Sequence, residues 1–452
     1  MAALYTNNAS TTLASGITNS ATSLTVTSGN GTKFPSPTGI DYFMCTLQGA
    51  SGTPIEIVKV TARSTDTFTI VRAQEGTTAS AFNANDIVEL RVTAAEMTQI
   101  NQLGQGNAST MKNRIINGAM VIDQRNAGAS VTATGIAAAG YTVDRWAYFV
   151  SAASKFTVQQ NAGAVTLPTG FTNYLGATSS SAYSVLAADY FGLQQAIEGF
   201  NIADLGWGTA NAKSITISFW AYSSLTGTFS GSLRNPTAYN RSYIFSYSIP
   251  VANTWTQISV TITGDTTGTW VTNNSTGIVL FFSLGAGSTY SGTAGSWTSG
   301  NLISATGATS VVGTSGATFY ITGVQLEVGS SATGFEYRQY GTELALCQRY
   351  FEKTYAITTK PGTVTSSLTT IGSFPGAYST WFNFTFQANK RAEPTMTSYS
   401  PSSGATGNMS VNMSSDVAIA AFIAGGVNQA CAYAAYTGNA SLYVHMTASS
   451  EL

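Results

Sequence analysis

The stretch Phe319-Tyr320-Ile321-Thr322-Gly323-Val324-Gln325-Leu326-Glu327-Val328 decides the class of the fold. Apolar residues stand at every second position, first Phe319 and Ile321, then Val324, Leu326 and Val328. Successive side chains of a strand point to opposite faces, so a period of two marks a strand with one buried face. The phase slips by one at Gly323, which predicts a β-bulge or a bend. The same alternation recurs upstream. It runs through Leu24 and Val26 in residues 23–27, and through Val88, Leu90 and Val92 with Glu89 and Arg91 opposite. It returns in Ile215, Ile217 and Phe219, and again in Ile258, Val260 and Ile262. Strands separated by turn-rich spacers predict an all-β chain of antiparallel sandwiches or barrels.

Two short helices interrupt the strands. Thr93-Ala94-Ala95-Glu96 is a capping box, in which hydroxyl and carboxylate satisfy the first free amides of a helix reciprocally. Met97, Ile100 and Leu103 follow at helical spacing, and Gly104-Gln105-Gly106-Asn107 stops the helix. The Met97, Ile100, Leu103 stripe packs either on its own domain or on a second copy of the chain. A second helix is predicted over 342–355, with Leu344, Cys347 and Phe351 as a partly apolar stripe. Borders are therefore expected near 93–114 and 341–355.

Composition limits the function classes. The 452 residues suffice for about three domains. Only 9% are charged, against roughly 25% in ordinary soluble proteins, while 43% are hydrophobic and 11% aromatic. That is ample core material and argues against disorder. A net charge of −1 gives no electrostatic reason for nucleic acid or an anionic membrane as partner. No Lys or Arg precedes Lys33, so the opening residues lack the basic region of a secretory signal. The longest weakly polar stretch, 417–427, is too short to span a bilayer. The expectation is synthesis in a cytoplasm without membrane insertion, whatever the later site of action.

Catalytic and metal signatures are sparse. One histidine, His445, disfavours Ser/His/Asp and His-rich metal schemes, and neither a P-loop nor a nucleophile elbow is present. Cys45, Cys347 and Cys431 form no CxxC pair and read as small core residues. No motif demands a cofactor or a metal ion, Ca²⁺ included. Asp144-Arg145-Trp146 reads as a structural ion pair beside a core tryptophan. Asp189, Glu198 and Asp204 lie close enough in sequence to be weighed as a glycosidase pair, with turn and capping roles as the alternative.

Several motifs carry a family resemblance. Tyr5-Thr6-Asn7-Asn8, residues 55–61, Val71-Arg72-Ala73-Gln74-Glu75-Gly76-Thr77 and residues 86–95 resemble the N-terminal domain of phage tail-fibre proteins. Asn113-Arg114-Ile115-Ile116-Asn117-Gly118 and Tyr141-Thr142-Val143-Asp144-Arg145-Trp146 resemble the opening of a jelly-roll, carbohydrate-binding-like domain of phage virion proteins. Residues 319–329 are similar to its close, and 335–338 with 343–351 to the tail that follows it. The resemblance covers roughly 1–355 and implies four segments: a virion-attachment β-domain over 1–92, a short helix and linker over 93–115, a jelly-roll β-sandwich over 116–340, and a short helix with a distal β-domain over 341–452. It further implies a homotrimer in the virion, in contact with other tail proteins and a host-surface glycan or protein. No heptad or collagen repeat bears on the trimer.

The charge map narrows where recognition is expected. After Glu393 only Asp416 and Glu451 are charged. Such a surface binds through hydroxyls, amides and aromatic faces, and aromatic rings stack on sugars. Phe382, Phe384 and Phe386 alternate, as do Leu442, Val444 and Met446, and read as core. Trp381, Tyr433, Tyr436, Tyr443 and His445 are the candidate receptor residues. Their alternative is a place among ordinary strand aromatics in a sheet or a trimer interface. Three functions stay open: a non-enzymatic tail fibre, a purely structural tail adaptor or decoration protein, and a glycan-cleaving tailspike. The last usually carries long parallel β-helix repeats, which this sequence lacks.

Overall fold

A computed structural model of the chain describes residues 3–39, 41–98, 111–136, 139–236, 239–367, 369–374, 380–419, 421–424, 426–434, 436 and 439–452. The chain divides into two compact units, Met1–Gln105 and Gly106–Leu452. The chain is nearly all β, in several mainly antiparallel sheets. Among the described residues no helix is long and apolar enough to cross a membrane.

In the first unit a six-stranded sheet runs in the order Ser10–Thr12, Ile87–Glu89, Phe43–Gln48, Ile55–Ser64, Thr67–Gln74, Ser23–Thr25. Its two edges meet. Leu13 bridges Val26, Ala14 N donates to Thr25 O at 2.9 Å, and Thr27 N donates to Thr12 O at 2.9 Å. The sheet thus closes into a barrel around Leu24, Val26, Phe34, Phe43, Cys45, Val58, Val60, Phe68 and Val88. The apolar phase of 88–92 does not hold to its end. Val88 is buried, but Val92 is 54% exposed, because the strand stops at Glu89.

The Arg72–Thr77 motif is explained by one buried carboxylate. Glu56 accepts from Arg72 Nε at 2.8 Å and Nη2 at 2.6 Å, from Ala73 N at 2.9 Å and from Ser80 N at 3.0 Å. Burial pushes its carboxyl up, but these donors outweigh that and hold it below the usual carboxylate range. The capping box forms as expected, with Thr93 N donating to Glu96 Oε2 at 3.0 Å and Glu96 N to Thr93 Oγ1 at 3.3 Å. Met97 is exposed; Ile100 and Leu103 lie outside the described residues.

The second unit is built on a jelly-roll sandwich. One sheet runs Thr256–Ile262, Ile215–Ser223, Thr318–Val328, Leu175–Ser179, Phe156–Gln160, Val131–Thr132. The other runs Trp297–Ser299, Arg241–Ile249, Gly227–Arg234, Thr276–Ala286, Tyr190–Glu198, Ala147–Val150, Gly140–Tyr141. The chain passes repeatedly between the sheets, whose inward faces share one core that includes Trp146, Leu193, Phe219, Phe245, Phe282 and Leu326. The slip at Gly323 is a bulge: Ser218 pairs Gln325 and Trp220 pairs Thr322, leaving Gly323 and Val324 opposite the single Phe219. Gly323 has φ +62°, and a Cβ there would stand 2.6 Å from the Phe171 ring. Asn117 ties the opening motif to the sandwich, since its amide donates to Ile122 O at 2.8 Å and Asp144 O at 3.0 Å.

The segment from 341 onward belongs to this same unit. The helix is Tyr340–Gln348, shorter than the predicted 342–355, and Phe351 already lies in the strand Phe351–Lys353. Beyond it the long strand Ala440–Ser449 pairs with Phe351–Lys353 and Thr395–Tyr399 along one half, and with Thr370–Phe374 and Asn408–Val411 along the other. Thr380–Thr385, Gln429–Ala434 and Ala421–Ala424 form a further sheet. Buried ionic contacts join these residues to the sandwich. Arg145 pairs with Glu451 and lies 3.6 Å over the Tyr350 ring, while Arg125 Nη2 meets Glu451 Oε1 at 2.7 Å. The ion pair expected inside Asp144-Arg145-Trp146 is therefore made outside it: Arg145 takes Glu451, and Asp144 stands 3.6 Å from Arg125.

Candidate functional site

The outward face of the seven-stranded sheet carries an aromatic cleft of about 110 Å³ lined by Phe149, Tyr190, Arg234, Tyr239, Tyr290, Asn301 and Ile303. Strand alternation places these side chains. Tyr148 and Val150 enter the core and Phe149 faces out; Leu233 enters the core and Arg234 faces out. Phe149 and Tyr190 stack with centroids 5.0 Å apart and planes at 18°, and Tyr290 meets Tyr190 edge-on at 5.2 Å.

The segment bearing Tyr290, Asn301 and Ile303 is fastened over the sheet by serine hydroxyls. Leu302 N donates to Ser242 Oγ at 3.0 Å, and Ala305 N donates to Ser230 Oγ at 2.7 Å. This accounts for buried serines on strands in a region almost free of charge.

Arg234 lies at the floor, 2% exposed. Its Nη1 donates to Asn301 Oδ1 at 2.7 Å, and its guanidinium carbon is 5.0 Å from the Tyr239 ring centre and 5.1 Å from that of Phe281. Burial pulls its pKa down to about 10, opposed by the neighbouring Tyr239 and Tyr190 only where those phenols ionise, so it keeps its proton at neutral pH. A cleft with flat apolar rings, an amide and a cation suits one sugar unit: rings cover the C–H faces while polar groups fix hydroxyls. It is small beside the roughly 300–1,000 Å³ that enclose a whole drug-sized ligand.

The sequence-predicted receptor residues stand elsewhere. Trp381 and Tyr433 are register partners across two strands, and their side chains lie outside the described residues. Tyr436 packs on the core of Met409, Leu442 and Val444, and Tyr443 is half-buried. His445 is corrected by the structure. It is fully buried, stacked on Tyr355 at 3.7 Å, with Nδ1 3.1 Å from Thr354 Oγ1 and Nε2 3.1 Å from Thr365 O. Both nitrogens are used internally, because this strand is covered on both faces at that point.

The three carboxylates weighed for glycoside cleavage each have structural partners. Asp189 accepts from Ser151 Oγ at 2.8 Å, Tyr183 Oη at 2.9 Å and Leu186 N at 2.8 Å. Glu198 is held by Arg349 and Tyr350, and Asp204 by Arg114. Of the cysteines, Cys45 and Cys347 are buried and Cys431 partly so. Among the described residues no group of three or more His, Cys, Asp or Glu side chains could hold a metal ion.

Sequence reading missed the cleft, although one signal was available. Between Asp204 and Glu327 the charged residues are Lys213, Arg234, Arg241 and Asp265, so two arginines share one acid. Arg241 takes it, with Nε to Asp265 Oδ2 at 2.8 Å and Nη2 to Oδ1 at 2.6 Å.

No protein-family model matches the chain, and no curated protein does. Solved structures resemble parts of it. The enzymatically active domain of bacteriophage CBA120 tailspike protein 4 matches at 12% identity and TM-score 0.25, over 48% of this chain and 22% of that one. The family 11 carbohydrate-binding module of Clostridium thermocellum, in complex with a β-1,3-1,4-mixed-linked tetrasaccharide, matches at 10% identity and TM-score 0.22, over 45% of this chain and 98% of that one. The CBM22-1 and GH10 modules of the Clostridium thermocellum xylanase 10B, complexed with xylohexaose, match at 16% identity and TM-score 0.22, over 46% and 30%. Likeness at this level carries no activity, substrate or partner across.

Proposed function

We propose that the chain is a non-enzymatic tail-fibre protein of a tailed bacteriophage that recognises host-surface glycan through its jelly-roll sandwich. The observation that carries this reading is the outward cleft of Phe149, Tyr190, Tyr239 and Tyr290 beside Asn301 and Arg234. Stacked rings on a serine-rich sheet offer what a sugar needs, and Arg234 is the single charged side chain among these lining residues. The tail-fibre half rests on the resemblance of residues 1–95 and 113–146. On this reading the first barrel attaches to other tail proteins, the chain assembles as a homotrimer in the virion, and binding rather than cleavage is its work. Asp189, Glu198 and Asp204 favour binding, since each is engaged by neighbours that a catalytic acid or base would have to leave.

The test is binding of the labelled full chain to host cells and to an array of bacterial surface glycans, alongside Tyr190→Ala. Binding to both, lost in the variant, is the expected result. Docking to virions that lack the protein without any binding to cells or glycans would instead make it a structural tail component.

A further inference from the structure

The geometry points to an acidic sugar as the ligand of this cleft, a unit bearing a carboxylate that seats against Arg234; this rests on the glycan reading above. The argument comes from how the chain's own arginines meet carboxylates. Arg72, Arg241 and Arg349 each present the edge formed by Nε and Nη2, at 2.6–2.9 Å from the two oxygens of Glu56, Asp265 and Glu198. That edge matches a carboxylate in a two-point, charge-assisted contact. In Arg234 the same edge is unengaged: Nε has no acceptor, and the acceptor nearest Nη2, Gln194 Oε1, is at 3.5 Å, too long for a good bond.

An idle Nε alone would decide nothing, because Arg114, Arg125, Arg145 and Arg338 also leave theirs idle. Those four have carboxylates on their terminal nitrogens. Arg391 donates to the backbone oxygens of Ser450, Asn274 and Glu451. Among the described residues Arg234 has neither kind of partner, only the Asn301 amide and the distant Gln194. A buried cation without an anion is costly, and an incoming carboxylate relieves that cost. The ring centres of Phe281 and Tyr239 lie 5.1 and 5.0 Å from the guanidinium carbon, and Tyr239 is 37% exposed, so a ligand would reach the arginine by displacing that outer ring.

The test uses the full chain and calorimetric titration with glucuronate-, galacturonate- and sialate-containing oligosaccharides, each paired with its neutral methyl ester. Sodium acetate and sodium sulfate serve as free anions. The acid should bind roughly ten-fold or more tightly than its ester, in keeping with a charged hydrogen bond. Two variants, Arg234→Gln and Asn301→Asp, should abolish that preference. Asn301→Asp places a carboxylate where the amide oxygen now accepts at 2.7 Å, so it satisfies the arginine and should melt no lower than the parent. Equal binding of acid and ester, or a preference that survives Asn301→Asp, overturns the acidic ligand and leaves the glycan reading intact. Failure of every saccharide in both forms overturns the glycan reading and this inference together. Acetate or sulfate binding as tightly as the acids would overturn the sugar component and leave a simple anion site.

Discussion

Arg349 and Glu198 form a two-point ion pair, Nε to Oε2 at 2.9 Å and Nη2 to Oε1 at 2.6 Å, across 151 residues of sequence. Tyr350 Oη donates to the same Oε2 at 2.6 Å, and the Glu198 side chain is 1% exposed. Glu198→Gln leaves Arg349 without its anion. Removing one partner of a buried pair costs about 3–5 kcal/mol, and the partial exposure of Arg349 places this one near the lower figure. Since the pair spans the sandwich and the residues after the helix, both should unfold together at a lowered temperature. A calorimetric scan in which the C-terminal strands keep a separate, unshifted transition would contradict this.

Asp144 gives the second unit a pH dependence of unusual sign. Complete burial pushes its carboxyl up, against the Arg125 charge and the Gln124 amide that favour ionisation, to about 7 from an ordinary 3.8. Between those values the folded chain holds a proton that the unfolded chain releases. This contribution to stability therefore falls as pH rises through that window and stays low above it. Asp144→Asn should remove the decline, which urea midpoints at pH 5 and pH 8 would measure.

His445 acts in the opposite direction. Burial lowers its pKa from 6.5, and the Thr365 carbonyl only partly restores it. The Thr365 carbonyl can only accept, so Nε2 carries a proton toward it; burial favours the neutral ring, in which Nδ1 accepts from Thr354 Oγ1. Protons then bind the unfolded chain more readily, so this stability is present above pH 6.5 and is lost as pH falls through the lower folded value. His445→Gln should flatten the loss between pH 7 and pH 5. An unchanged acid limb would show that the ring titrates as it does in water.

What was legible in the sequence was local. The phase slip at Gly323 and the Thr93–Glu96 box involve neighbours a few residues apart, and both appear as read. What was missed depends on distant partners. A short helix near 341 suggests a border, but Glu198, Arg145 and Glu451 make that region one packed body with the sandwich. Alternation with Leu442, Val444 and Met446 points His445 away from their core, which means solvent only if the other face is bare. The Ala440–Ser449 strand has Tyr355 on that face. Arg234 lacked any motif, and its significance emerged only once Arg241 was seen to take Asp265.

Gly192 links packing to the cleft. A Cβ built there would lie 2.2 Å from the Phe281 ring and 2.4 Å from Phe282 O, closer than any side chain tolerates. The Phe281 ring occupies the space a side chain would need, and its face supports Arg234 at 5.1 Å. Gly192→Ala must push the ring or the strand aside, and overpacking of this kind costs roughly 1–3 kcal/mol. The same displacement moves the guanidinium from its seat beside Asn301, so saccharide affinity should fall along with the melting temperature. The control is Ala196→Gly, also in Tyr190–Glu198, which removes only a methyl group and should lower stability with little effect on affinity. Comparing the two by calorimetry and saccharide titration separates a loss caused by weakened folding from one caused by the moved arginine. A Gly192→Ala protein that binds as the parent does would show that Phe281 does not set the position of Arg234.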